Sequence, residues 1–208
     1  MRGYLASISY VDHQVGRLLD ALDSSSLKEN TIIVIWTDHG FHIGEKENWE
    51  KFALWDQTTR VPLFIHAPGV SKDGVKTRYP VTLTDLYPTL CELAGLPVPE
   101  QCDGKSLVSQ LRNPEKRGKS LSLTSFQFQG DSDPSHAVSD RRYRLIQYPD
   151  GFEELYDLEK DSHEFHNLSE DLNFSEVKKR LSLGIPSKSA AMGGIPKSSP
   201  YNLIRHFR

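Results

Sequence analysis

Long apolar runs are missing from this 208-residue sequence. The longest, near residues 31–36, falls far short of the roughly 20 apolar residues a membrane-spanning helix needs, which excludes such a span. Cysteine is scarce as well. Cys91 and Cys102 are the only two, too few and wrongly spaced for a zinc site. They either pair in an oxidising compartment or stand as one buried and one loop thiol, and the second reading is favoured. No excess of one charge exists, since 25 Lys and Arg face 28 Asp and Glu for a net charge of -3. That balance gives no broad footprint for nucleic acid or an anionic membrane, though a small anionic substrate needs only a local basic pocket. No secretory signal is expected at the start as read, because Met1-Arg2-Gly3-Tyr4 runs straight into a helical pattern.

What is present reads as an ordered domain with exposed segments, with 37% hydrophobic and 25% charged residues. Tyr4, Leu5, Ile8, Val11, Val15, Leu18, Leu19 and Leu22 recur at three- and four-residue steps, predicting an amphipathic helix over residues 3–23 that covers one face of a sheet. Residues 31–36 are rich in β-branched side chains and apolar on both faces, as suits a central strand. A second strand is expected over residues 61–67, with Pro62 near its start. Residues 84–94 predict a helix with Thr84 as N-cap and Gly95 past its end, and residues 106–111 a further short one. After Arg112-Asn113-Pro114 the pattern changes: residues 143–148 alternate, Pro149-Asp150-Gly151 turns the chain, and residues 153–158 complete a hairpin. Ser, Pro, Gly and Lys crowd the sequence from about Leu183, which reads as an extended or disordered tail.

Chemistry concentrates just after the first strand, in Asp38-His39-Gly40-Phe41-His42-Ile43-Gly44-Glu45, followed by Trp49, Lys51 and Arg60-Val61-Pro62-Leu63. Ligands of open α/β sheets gather beyond the carboxyl ends of strands. A carboxylate and a neutral imidazole there can complete a divalent metal site whose other ligands lie elsewhere. By itself Asp-His-Gly equally describes a capping Asp, a hydrogen-bonded His and a turn Gly.

The wider order removes that ambiguity. The helix with Tyr10-Val11-Asp12, the strand, Asp38-His39-Gly40, Gly44-Glu45, Trp49-x-Lys51 and Val61-Pro62-Leu63 together resemble the type I sulfatases of the alkaline phosphatase superfamily. So do Asp85-Leu86-Tyr87-Pro88-Thr89-Leu90, Asp103-Gly104-Lys105-Ser106-Leu107, and residues 154–161 with Asn167-Leu168. The pattern is similar to bacterial iduronate-2-sulfatase-like enzymes and covers residues 3–170. The resemblance implies an α/β fold, part of an alkaline-phosphatase-like sheet covered by helices and followed by a small antiparallel C-terminal hairpin subdomain. Residues 1–112 would be the C-terminal portion of the catalytic domain, 113–182 the small subdomain and 183–208 the tail.

It further implies that Asp38 and His39 are late ligands of one active-site calcium ion and that Lys51 contacts the sulfate of a sulfated carbohydrate or other sulfate ester. His42 is either a substrate-binding or proton-transfer group or a packed loop histidine. Glu45 reads as a loop salt bridge, Trp49 as packing, Arg60 as a fastening to the second strand, and His13 and His66 as structural or surface groups. His136 is a candidate for the pocket rim. The family's nucleophile is a formylglycine made within Cys/Ser-x-Pro-x-Arg, and neither Cys91 nor Cys102 lies in such a context, while Ser132-Asp133-Pro134-Ser135-His136 ends in His. The expectation is therefore a sulfatase fragment that lacks turnover without an N-terminal half, in a family usually exported or lysosomal, which places it in the periplasm or outside the cell. The competing readings are a non-catalytic remnant or interaction module and a metal-dependent phosphoesterase.

Overall fold

The computed structural model describes residues 1–116, 121–128 and 133–187. The heptad-like apolar spacing at the start forms helix α1 (Arg2–Asp23), closed by Ser24, whose N–H and hydroxyl both reach the Asp20 carbonyl. That α1 covers a sheet is corrected by the structure: the helix buries no residue. Leu5, Ile8, Val11 and Leu18 stay more than half exposed. The stripe is built for a partner that the described residues do not supply.

Strands β1 (Ile33–Trp36) and β2 (Leu63–His66) pair antiparallel, with Ile33 opposite His66 and Trp36 opposite Leu63. Both are shorter than the sequence suggests. Pro62, which has no N–H to give the ladder, stands just outside β2. The expected burial of β1 on both faces is also corrected. Trp36 is 50% and Phe64 62% exposed, and because Trp36 pairs with Leu63 while Phe64 pairs with Ile35 the two stand on opposite faces, so the described residues fully cover neither face of this pair. Between the strands run a tight turn at Glu45–Glu47 and the single helical turn α2 (Asp56–Thr59).

Helix α3 (Leu86–Leu93) begins two residues later than expected because a 3-10 turn, Leu83–Asp85, precedes it. The cap is accordingly Thr82, not Thr84: the Thr82 hydroxyl and the Asp85 carboxylate satisfy each other's backbone N–H groups. Asp85 also accepts the Lys105 N–H at 2.8 Å, and the Thr89 hydroxyl accepts that of Leu107 at 2.9 Å, tying helix α4 (Val108–Arg112) to α3. Cys91 is buried and Cys102 partly so, both as free thiols.

The predicted hairpin is the better half of a four-stranded antiparallel sheet in the order β3 (Ser122–Phe126), β4 (Ser135–Ser139), β5 (Tyr143–Gln147) and β6 (Glu153–Asp157). Pleating sends alternate residues to opposite faces. Val138, Leu145 and Leu155 lie in one row and pack on Leu181 of helix α5 (Ser175–Ser182). Ala137, Ile146 and Tyr156 form the other face and receive Leu54, from the loop that carries Lys51. Each such buried aliphatic side chain contributes about 1.5–3 kcal/mol. Of the predicted tail, residues 188–208 lie outside the described residues.

Candidate active site

Asp38 and His39 lie one residue past the end of β1, which fixes where they start. The His39 N–H donates to Asp38 Oδ1 at 3.1 Å, and the imidazole Nδ1–H donates to the Gly40 carbonyl at 2.7 Å. That second bond sets the tautomer and leaves the lone pair on Nε2. Nε2 lies 3.6 Å from Asp38 Oδ2, so an oxygen and a nitrogen donor stand side by side, as two ligands of one cation do. Lys51 points its ammonium at the same atom, with Nζ 2.9 Å from His39 Nε2. The structure thus brings Asp38, His39 and Lys51 together.

Gly40 makes this corner possible. A Cβ there would come 2.0 Å from the Gln57 carbonyl oxygen, while the Gly40 N–H donates to Thr58 O at 2.8 Å. The need is for close approach; the sharp turn expected of Gly40 is not what selects glycine. Gly44 does take a left-handed φ of 124°, over the ring of Trp49.

The three groups open onto a cleft of about 1140 Å³ that reaches from the end of β1 across Lys51 and Phe52 to β3 and the β4–β5 turn. Behind its wall lies an ionic cluster that the sequence did not disclose. Arg144 on β5 is buried, and its guanidinium donates to Leu54 O, to the Thr59 hydroxyl and to the Ser139 hydroxyl. Glu164 stands 3.6 Å from it and accepts the Asp56 N–H at 2.7 Å. Burial outweighs the neighbouring guanidinium and pushes the Glu164 carboxyl up to about 7. Lys46, whose left-handed φ of 52° is unusual outside glycine, inserts its ammonium between Tyr156 OH at 2.9 Å and Glu164 O at 2.6 Å. Burial lowers its pKa, against the pull of Glu154 and Glu164. The one available signal was Arg144 sharing a strand face with Ile146 and Tyr148, an apolar setting that an unpaired guanidinium would not occupy.

His42 is placed apart from the cleft. It is fully buried, set edge-on to Trp55 at 5.5 Å, with no hydrogen bond to either ring nitrogen, and burial lowers its pKa. Glu45 accepts the Ile43 N–H at 2.8 Å and lies 3.9 Å from His42, a clasp within the loop. Arg60 pairs with Asp56 at 2.9 Å and His66 with Asp73 at 3.3 Å. His136 lies within β4, ahead of the hairpin, and meets the Ser125 hydroxyl at 2.8 Å. Ser132 lies outside the described residues. Among the described residues, no three His, Cys, Asp or Glu side chains stand together as a metal site, so Asp38 and His39 fit part of a coordination sphere.

The sulfatase family profile matches residues 1–96, the stretch that holds α1, β1, β2 and all three clustered groups. This chain belongs to the sulfatase family. A sulfatase of Formosa agariphila is 39% identical over 91% of the chain and 36% of its own length. Human iduronate 2-sulfatase is 36% identical over 64% of the chain and 28% of its length. Among solved structures, one determined in complex with its substrate D-glucosamine-2-N,6-O-disulfate superposes with a TM-score of 0.79 at 28% identity, covering 86% of this chain and 38% of that one. The sulfatase-family chain therefore spans about 28–38% of the length of these relatives.

Proposed function

We propose that this chain furnishes part of the active site of a calcium-dependent sulfate ester hydrolase that acts on sulfated glycans, as the solved neighbour's disulfated glucosamine substrate suggests. The observation that carries the reading is the convergence of Asp38, His39 and Lys51 at the end of β1 within a sulfatase-family sequence. Asp38 and the Nε2 lone pair of His39 would hold the ion, with further ligands from sequence beyond these residues. Bound there, calcium supplies a positive charge that polarises the sulfate oxygens. The Lys51 ammonium binds a nonbridging sulfate oxygen and stabilises charge that builds there as the ester is attacked. The nucleophile expected of the family, a formylglycine, belongs to a Cys/Ser-x-Pro-x-Arg segment not found in these 208 residues.

Turnover then requires that segment, and sequence beyond these residues would also cover the apolar stripe of α1 and the exposed Trp36 and Phe64 of β1 and β2. Location in the periplasm or outside the cell accords with the family; among the described residues no helix is long and apolar enough to cross a membrane. The experiment is sulfate release from a small aryl sulfate and from sulfated oligosaccharides, with and without calcium. The 208-residue chain is expected to release none, and the chain joined to a segment bearing Cys-x-Pro-x-Arg is expected to be active. In the joined enzyme Lys51→Ala should lower kcat/KM by about a hundredfold. Enzyme-like rates from the chain alone, or indifference of the joined enzyme to Asp38→Ala, refute the reading.

A further inference from the structure

Of the four acidic side chains that line the cleft, Asp38 stands beside His39 and the other three are held in ion pairs. Asp56 pairs with Arg60 at 2.9 Å, Asp140 with Arg180 at 2.6 Å, and Glu159 with Arg142 at 3.6 Å. Arg144 is spent on Leu54, Thr59 and Ser139. Three lining cations remain, Lys51, Arg78 and Arg141, and among the described residues none of them has a carboxylate within 4.0 Å. Away from Asp38, the cleft of a chain of net charge -3 thus carries uncompensated positive charge. Such a surface concentrates anions.

Two of these cations, Arg78 and Arg141, sit on elements that touch. The Arg141 guanidinium lies over the Tyr79 ring at 5.1 Å, next in sequence to Arg78. Stacking of this kind preorganises a guanidinium while leaving its edge N–H groups free to bind. The turn carrying Arg141 is itself fixed, because Asp140 accepts the N–H groups of Arg142 at 2.7 Å and Tyr143 at 2.6 Å. At about 1140 Å³ the cleft exceeds the roughly 300–1,000 Å³ that suits a drug-sized ligand, leaving room for more than one sugar.

We infer that Arg78 and Arg141 form a second anion subsite, so that the cleft takes a polyanionic saccharide whose additional sulfate or carboxylate binds there while the sulfate to be cleaved meets Lys51. The inference rests on the sulfate-ester reading for Lys51. The two subsites are separable by experiment. The 208-residue chain is titrated calorimetrically with matched disaccharides, one with a single sulfate and one with a second anionic group on the neighbouring sugar. The doubly charged ligand should bind roughly tenfold more tightly, a gain typical of one charge-assisted contact. Arg78→Gln and Arg141→Gln, both at exposed positions, should collapse that ratio towards one and leave the affinity for the monosulfated ligand unchanged. Lys51→Met should weaken both ligands alike. Equal affinities in the unmodified chain, or a ratio that survives both Arg substitutions, overturn the second subsite while the Lys51 dependence still stands. Binding that ignores Lys51→Met but keeps the Arg-dependent ratio overturns the sulfate reading instead.

Discussion

Arg144 grips the carbonyl of Leu54 with two N–H groups, Nε at 2.8 Å and Nη2 at 2.5 Å, across 90 residues of sequence. That fork ties the loop between Lys51 and Thr59 to the face of β5. Together with the burial of Leu54 against Ala137, Ile146 and Tyr156, it explains how the C-terminal sheet holds a side chain of the first half at the cleft. Arg144→Met should destabilise the protein by about 2–4 kcal/mol, since it leaves the buried Leu54 carbonyl and the Thr59 and Ser139 hydroxyls without their donor. Arg144→Lys keeps the charge but loses the planar fork. Denaturant unfolding measures both, and the lysine variant should recover only part of the loss.

Gly40 supplies a second expectation. With the Gln57 carbonyl 2.0 Å from where a Cβ would sit, backbone must shift, so Gly40→Ala should cost about 1–3 kcal/mol. At Gly16, in α1, an added Cβ would meet nothing within 4 Å. There the same substitution should stabilise by about 0.5–1 kcal/mol through helix propensity alone. Thermal unfolding of the two variants side by side checks the contrast, and equal shifts would contradict the packing argument.

The sequence exposed the elements whose pattern is periodic and the site whose residues are contiguous. The α1 repeat, the β-branched run before Asp38 and the Pro149-Asp150-Gly151 turn each carry a local signal, and all three appear where expected. β3 and β4 escaped because Ser122-Leu123-Thr124-Ser125-Phe126 and Ser135-His136-Ala137-Val138-Ser139 are rich in small polar residues, and only pairing within the sheet makes them strands. The Thr82 cap was missed because Thr84 is just as good a capping residue; the 3-10 turn decides between them. Arg144, Glu164 and Lys46 stayed hidden for a different reason. Ionic partners 20 to 118 residues apart leave no spacing to read.

Calcium and Lys51 should compete for His39 Nε2, because the ammonium stands 2.9 Å from that lone pair. Lys51→Met frees the nitrogen and removes a positive charge beside the site. Its calcium affinity at neutral pH should rise several-fold from a weak starting point, with a dissociation constant of about a millimolar or above for so few ligands. Asp38→Asn should abolish the binding. Calorimetric titration of the two variants tests this, and a lysine variant that binds calcium no better than the original would show that the ammonium does not guard the ligand.

Glu164 gives the clearest dependence on pH. Burial raises its carboxyl to about 7 from an ordinary value of 4.5, so between those values the folded protein holds a proton that the unfolded chain has released. Stability from this group is then complete below pH 4.5, declines as pH rises and is gone above about pH 7. The span corresponds to roughly 2–4 kcal/mol for a side chain this thoroughly buried. Glu164→Gln mimics the neutral form and keeps an oxygen to accept the Asp56 N–H. Unfolding free energies measured from pH 4 to 8 should therefore fall more steeply for the unmodified protein than for the variant, with the two curves parting between about pH 4.5 and 7. Parallel curves would mean that Arg144 and Lys46 hold Glu164 ionised throughout, and that burial is not the dominant influence on its carboxyl.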